Sequence, residues 1–222
     1  MNNPWVNLPS KAPFILEIDH ELVEKFNTDE NRLEEHRIHT ELLPEPYLGD
    51  PFNASVFLLN LNPGYSPDDV KFYDDPKGRQ AVLGNLTHEP SPYPFFMLDP
   101  EFENFSGPGW WRERLKYLIA ATNEEQVAKK VCCIEYFPYH TQRFGTGKLE
   151  LESQWYSFEL VRNAIADKKI IVVMRAEAFW KYGVPELRRS SYYTLNSPQN
   201  VRVTPGNLPD GGFEHIVEAV KA

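Results

Sequence analysis

Ser55–Tyr65 reads SVFLLNLNPGY, and this stretch decides how the rest of the chain is read. Its strand-forming apolar residues run on without polar alternation and break abruptly into Asn62-Pro63-Gly64, the pattern of a buried parallel strand ending at a sharp turn. Pro63 cannot donate to a β-ladder and Gly64 is free to take a positive φ. The chain is therefore expected to leave the sheet there, with the Asn62 side chain at the rim. In open α/β sheets ligands bind at the carboxyl ends of the strands, which puts Asn62 where chemistry sits. Asn-Pro-Gly is also a common turn formula, and that plainer reading stays open at this point.

Working outward, VCCIEYF (131–137) and IIVVM (170–174) read as further buried strands, with a last strand near Tyr192–Leu195. Helical spacing separates them: Asp19–Phe26, Asp29–Leu42, Gly109–Ala121, Asn123–Lys130, Leu149–Asp167, Glu177–Tyr182 and Phe213–Val220. Strands alternating with helices imply parallel pairing and right-handed crossovers. The expected fold is α/β: a three-layer α/β/α sandwich on a central, mainly parallel four-stranded sheet, formed by one domain over residues 1–222 with residues 1–45 packed on it as a helical extension. The stretch from Tyr65 to Gly109, dense in proline and aromatics, is too long for an idle connection and reads as a packed or functional lid.

Bulk properties narrow the class. At 222 residues, 41% hydrophobic and 25% charged, the chain can bury one sizeable core. Neither a basic leader followed by an apolar stretch nor an apolar run of membrane-spanning length stands in it, so a cytoplasmic location and no membrane partner are expected. Cys132 and Cys133 are adjacent in a strand and point to opposite faces, as reduced core thiols do. The net charge of −9 argues against a protein that coats nucleic acid. The charge is uneven, however: residues 1–75 hold fifteen acids against five Lys/Arg, whereas 168–202 hold seven Lys/Arg against Glu177 and Glu186. That leaves room for a basic face in the last third, or for charges scattered over a solvated surface. His36 and His39 beside Glu35 have no third ligand in sight, so no metal and no cofactor is expected. Walker loops, dinucleotide-binding glycine patterns, nucleophile elbows and Cys-x-x-Cys pairs are all missing from the sequence.

Three strand ends carry polar residues able to converge: Asn62 after the first, EYFPYH (135–140) at the second, and NSPQN (196–200) after the fourth. In order and chemistry these resemble the uracil-DNA glycosylase superfamily, most nearly its mismatch-specific and single-strand-selective branches. There a strand ending in Asn-Pro-Gly supplies the first catalytic motif, matched by LNLNPG at 59–64. A later strand runs into a His-Pro-Ser-Pro or Asn-Pro-Ser loop, followed loosely by Ser197-Pro198-Gln199-Asn200. Where the family has its histidine this chain has Leu195 or Asn196. The resemblance implies a catalytic set of Asn62, His140 and Asn196. It implies substrate contacts from Gly64, Tyr65, Tyr73, Glu135, Ser197 and Asn200.

The chemistry such a site needs is specific. Cleaving an N-glycosidic bond builds positive charge on the sugar and negative charge on the base, so a held water, donors to the base oxygen and a stacking ring are required. Asn62 would hold the water through its carbonyl, and backbone N–H groups near Gly64 and Tyr65 would meet a base carbonyl. His140, beyond a strand end, is placed either to move a proton or to cap a loop. Phe72 or Tyr73 would stack, with Phe95 or Phe96 as substitutes, unless these rings belong to the core. Family members read the base with an amide at the end of the second parallel strand, where this chain offers Glu135 and Tyr136. The implied activity is release of a deaminated or damaged base from DNA, in base-excision repair. Two alternatives stand beside it: a catalytically silent nucleic-acid-binding module of the same fold, and a protein that binds a free nucleobase or nucleoside.

Overall fold

The computed structural model describes residues 2–146 and 149–222. Five strands form one sheet: β1 (Tyr47–Leu48), β2 (Val56–Leu59), β3 (Val131–Ile134), β4 (Ile170–Val173) and β5 (Tyr193–Thr194), in the order β1-β3-β2-β4-β5. The pairs β3-β2, β2-β4 and β4-β5 are parallel, as the alternation of strands and helices predicts, and every residue of β2, β3 and β4 is buried. The fifth strand departs from the expected four. Tyr47 and Leu48 pair antiparallel with Ile134 and Cys133, and two residues in a proline-rich segment carry no periodicity from which a strand is read. Gly49 makes the following turn at φ 106°, with a Cβ there falling 2.6 Å from the Val131 carbonyl oxygen, so only glycine fits.

Among the described residues eight α-helices accompany the sheet: α1 (His20–Asn27), α2 (Val70–Asp74), α3 (Pro76–Leu86), α4 (Ser106–Ala121), α5 (Glu124–Lys130), α6 (Gln154–Ala166), α7 (Glu177–Gly183) and α8 (Gly212–Lys221). None is long and apolar enough to cross a membrane. Helix α5 packs on β3, α6 on β4, and α8 on β2 and against α4 and α5. The Tyr65–Gly109 stretch holds α2 and α3 and two short 3₁₀ turns. Asp75 accepts from the Lys77 and Gly78 amides and Pro76 fills the first helical position, so α3 starts with three of its free donors satisfied or removed.

The helix expected over 29–42 does not form; only a 3₁₀ turn at Glu34–His36 does. Tertiary hydrogen bonds take its place. The Asn27 side chain bonds both the N–H and the carbonyl of Ile38, Phe14 N–H donates to Thr40, and His39 N–H donates to the His140 carbonyl. These hold the segment extended along the molecule, which outweighs its modest helical propensity. Trp5, Phe14, Leu16, Val23, Phe26 and Ile38 are buried in the same core as the strands. Cys132 and Cys133 are both buried and unbridged.

Candidate functional site

The pairing register builds the floor of the site. Leu59 lies opposite Ile134 in the parallel ladder, so Asn60 and Glu135 are the next residues along two neighbouring strands. Both are buried, at 4% and 3% exposure. Asn60 Nδ2 donates to Glu135 Oε1 at 3.0 Å, while Asn60 Oδ1 and Glu135 Oε2 have no hydrogen-bond partner among the described residues. The Asn60 backbone is fixed from both sides: its N–H donates to the Ile134 carbonyl, and its carbonyl accepts from Trp180 Nε1 at 2.7 Å. Above this floor opens a cavity of about 630 Å³ at the carboxyl ends of β2, β3 and β4. The chain leaves β2 towards β3 on one side and later reaches β4 on the other, so the cavity lies at the topological switch point of the sheet.

The Asn62–Tyr65 loop forms its rim and is stitched to the segment beyond β3. Thr141 N–H donates to the Pro63 carbonyl, and Gly64 and Thr141 make an isolated parallel bridge. Asn62 Nδ2 donates to Thr141 Oγ1 at 2.9 Å and to the Pro63 carbonyl at 2.7 Å, which leaves Oδ1 as the amide atom without a donor among the described residues. Gly64 does not adopt the left-handed conformation, and a Cβ built on it meets no atom within 4 Å. Neither turn strain nor packing within the chain demands glycine at this lining position; the space beside it belongs to the cavity.

His140 is a brace for that loop. At 2% exposure it places Nδ1 2.7 Å from the Gly64 carbonyl oxygen and Nε2 3.1 Å from Tyr73 Oη and 3.0 Å from the Leu43 carbonyl oxygen. Burial holds its pKa below the ordinary histidine value, so the ring is neutral near pH 7. Both ring nitrogens face backbone carbonyl oxygens, Nδ1 that of Gly64 and Nε2 that of Leu43, and the Tyr73 hydroxyl shares Nε2. Tyr73 Oη also lies 2.8 Å from Glu45 Oε1, and burial first, then Glu135 and Asp69, push the Glu45 carboxyl up to about 8 despite the Tyr73 hydrogen bond. Tyr73 Oη donates to Glu45 Oε1 and contacts His140 Nε2, and His140 Nδ1 meets the Gly64 carbonyl: three side chains form one hydrogen-bonded chain under the rim. Both the His140 nitrogens and the Tyr73 hydroxyl are committed to this support. Both residues line the cavity but are almost fully buried, with these polar atoms bonded within the chain rather than free for the roles expected of them.

The walls are aromatic and mixed in charge. Phe72, a candidate stacking ring, lines the cavity but is buried against Phe96, Phe102 and Phe105. Phe95 packs on Trp111 inside the core. Half-buried Tyr65, Trp110 and Phe144 offer more ring surface to the cavity, and Tyr65 stacks on His39 with centroids 3.4 Å apart. Three carboxyls, Glu45, Asp69 and Glu135, face two guanidinium groups, Arg143 and Arg175. Arg175 stands two residues past β4, where Ala176 at φ 56° turns the chain into α7. Burial drives the Glu135 carboxyl up to about 7, with Asn60 and Arg175 holding it down.

The 196–200 segment is elsewhere. Asn196 Nδ2 donates to the Gly206 carbonyl, Ser197 N–H donates to Asn207 Oδ1, and Asn207 Nδ2 donates to the Asn200 and Arg202 carbonyls. Asn196, Ser197 and Asn200 are exposed and none lines the cavity. The segment stands one layer behind the wall: Val203 N–H donates to the Arg114 carbonyl, and the Arg114 guanidinium lies 4.2 Å from the ring centroid of Trp110, which does line it. Of the nine expected site residues, Asn62, Gly64, Tyr65, Tyr73, Glu135 and His140 therefore come together, and Asn196, Ser197 and Asn200 do not.

No protein-family model, curated protein or solved structure matches the chain. The site therefore stands on its own geometry. Among its side chains that the sequence does not single out are Asn60, Glu45, Trp110 and Arg175. Asn60 and Arg175 are the first polar residues after the paired parts of β2 and β4, a signal present in the sequence once the strand ends are known. Trp110 belongs to the GWWRER run that reads simply as the apolar side of a helix.

Proposed function

We propose that the cavity receives a single nucleobase and that the protein hydrolyses the N-glycosidic bond to it, acting on a deaminated or damaged base in DNA with a glycosylase-type α/β/α fold. The observation that carries the reading is the fixing of the Asn62 amide. Its nitrogen is spent on Thr141 and Pro63, so its oxygen is the atom presented at the rim, above a floor of buried polar groups. An amide oxygen has no useful basicity, so its contribution is to hold a water against the sugar carbon rather than to deprotonate it. In the hydrolysis the water oxygen forms a bond to that carbon, the carbon–nitrogen bond breaks with its electron pair passing to the base, and the proton the water sheds ends on the released base. Arg175 and the floor groups are near enough to the cavity to stabilise the charge that arrives there. With Asn196 outside the cavity and His140 committed to the rim, the scheme asks nothing of either as a proton donor. The test is a panel of oligonucleotides carrying uracil, hypoxanthine or a mismatch: wild type should release a base from at least one, and Asn62→Ala should reduce that rate by orders of magnitude. Absence of release from the whole panel would contradict the reading.

A second reading is favoured by the lining itself. Arg143, one of the two guanidinium groups at the cavity, is paired with Glu35, and the Lys168, Lys169, Arg189 and His215 cluster lines a different cleft, so little unpaired cationic charge gathers at the cavity for a phosphate backbone. A free nucleobase or nucleoside, uncharged, suits such a cavity better than a DNA strand does. Stabilisation of the fold by free bases without any release from DNA would select this reading.

A further inference from the structure

We infer that the molecule carries a second ligand site: the cleft at the amino end of β4 binds a phosphomonoester joined to a planar body, the chemistry of a nucleoside monophosphate. The site shares no residue with the nucleobase cavity and holds whatever that cavity binds.

The cleft exists because β5 is short. Tyr193 and Thr194 pair with Val172 and Val173, so the two residues of β4 ahead of these, Ile170 and Ile171, have no strand beside them on that side. The chain that arrives at β5 through Ser190 and Ser191 does not extend the ladder. A space of about 610 Å³ is left between it, the start of β4 and the end of α6, with His215 of α8 at its side. Ile170 opens β4 and Arg175 lies beyond its last residue, so the two cavities stand at opposite ends of one strand.

The charge around the cleft has one sign. Lys168, Lys169 and Arg189 line it, and no carboxylate does among the described residues. In a chain whose net charge is −9, carboxylate partners are plentiful, yet these three cations have none among the described residues. The two acids of the surrounding stretch are engaged elsewhere, Glu177 with Lys181 and Glu186 with Arg162. Unpaired like charges gathered around a hollow raise the local concentration of anions. Lys168 is also held in a costly conformation. Helix α6 ends with Lys168 N–H donating to the Ile165 carbonyl and Lys169 N–H to that of Ala164, and this closure puts Lys168 at φ 55°. Glycine takes such a position freely, whereas lysine is strained there, and strain of this kind gathers where a side chain is used.

The rest of the lining selects the ligand. A phosphomonoester carries a charge of about −1.5 to −2 at pH 7, which suits several cations better than a single carboxylate would, and a guanidinium such as that of Arg189 fits two of its oxygens at once. A bare phosphate leaves most of the space empty. Ile165, Ile170 and Ile171 make the remainder apolar, beside the half-buried rings of Tyr192 and Tyr193. Both rings are anchored at their hydroxyls: Tyr192 donates to Glu177 Oε1 at 2.7 Å, and Tyr193 Oη lies 3.1 Å from His215 Nδ1. Apolar and aromatic walls of this kind match a flat heterocycle.

Titration calorimetry with adenosine and uridine 5′-monophosphates, their parent nucleosides and inorganic phosphate tests the inference. At least one monophosphate should bind about tenfold or more tightly than both its nucleoside and inorganic phosphate, and its affinity should fall as salt rises. The double variant Lys169→Glu, Arg189→Glu should lose about tenfold or more in that affinity, while Asn62→Ala in the other cavity should bind the nucleotide as wild type does. Lys168→Gly separates recognition from folding: glycine suits φ 55°, so the melting temperature should hold or rise while nucleotide affinity falls severalfold. No monophosphate bound, inorganic phosphate bound as tightly as the nucleotides, affinity unaltered in both cleft variants, or a loss seen only in Asn62→Ala would each overturn the inference.

Discussion

Two loops follow parallel strands and carry similar polar formulas, yet they have different fates. The one after β2, Asn-Pro-Gly-Tyr at 62–65, is tied across the sheet to His140 and Thr141, and so is held open over a cavity. The one after β5, Asn-Ser-Pro-Gln-Asn at 196–200, is tied to its own neighbour Asn207 and folds on itself at the surface. A short polar motif does not place itself. Its hydrogen-bond partners do, and a loop bonded to a different strand end becomes part of a site, whereas one bonded within itself remains a turn.

The sharpest way to break this comparison is to remove the tie of the first loop. His140→Ala deletes the imidazole between Gly64 and Tyr73 and leaves buried groups unpaired. A loss of about 3 kcal/mol is expected, lowering the melting temperature by roughly 6–12 °C, together with loss of base affinity. Calorimetry and a binding titration check both parts, and unchanged affinity would mean the rim does not depend on its brace. The corresponding cut in the second loop is Asn207→Ala, which frees the Ser197 amide and the Asn200 and Arg202 carbonyls. About 2 kcal/mol should be lost there, with base affinity at the cavity unaltered.

Acidity sharpens the contrast further, because raised carboxyls belong to the cavity. Glu45 and Glu135 move up from an ordinary value of 4.5 to about 8 and about 7 through burial. The stability their neutral forms allow is complete below about pH 4.5 and is lost as pH rises through these values. Unfolding followed from pH 5 to pH 9 should therefore show falling stability. Glu45→Gln should flatten the upper part of that fall, and an unchanged slope would count against a buried, neutral Glu45. The smallest effect on stability is expected from Gly64→Ala, within about 0.5 kcal/mol since its Cβ meets nothing in the chain, while the same methyl group should weaken base binding.

How far the sequence carries the reader follows from the same contrast. Strands β2, β3 and β4 are legible because strands buried on both faces must be apolar throughout, and Asn62 is legible because that run stops at a residue unable to pair. Glu135 is visible for the same reason. Asn60 is hidden inside the apparent strand LLNLN, since only the register shows that pairing ends at Leu59. The pairing of Tyr47 and Leu48 is too short to leave a periodic trace, and Asp29–Leu42 carries helical spacing that long-range bonds from Asn27 and His140 override. Ser197-Pro198-Gln199-Asn200 resembles a catalytic loop in composition alone; its partner Asn207, seven residues beyond Asn200, gives no sign in the sequence of claiming it.

The central claim, that the Asn62 loop and not the 196–200 loop faces the reacting bond, is tested most directly by single-turnover base release from a uracil- or hypoxanthine-containing oligonucleotide. Asn62→Ala should slow release by orders of magnitude, and Asn196→Ala by less than about threefold. Comparable losses from both variants, or a dominant loss from Asn196→Ala, would contradict the account.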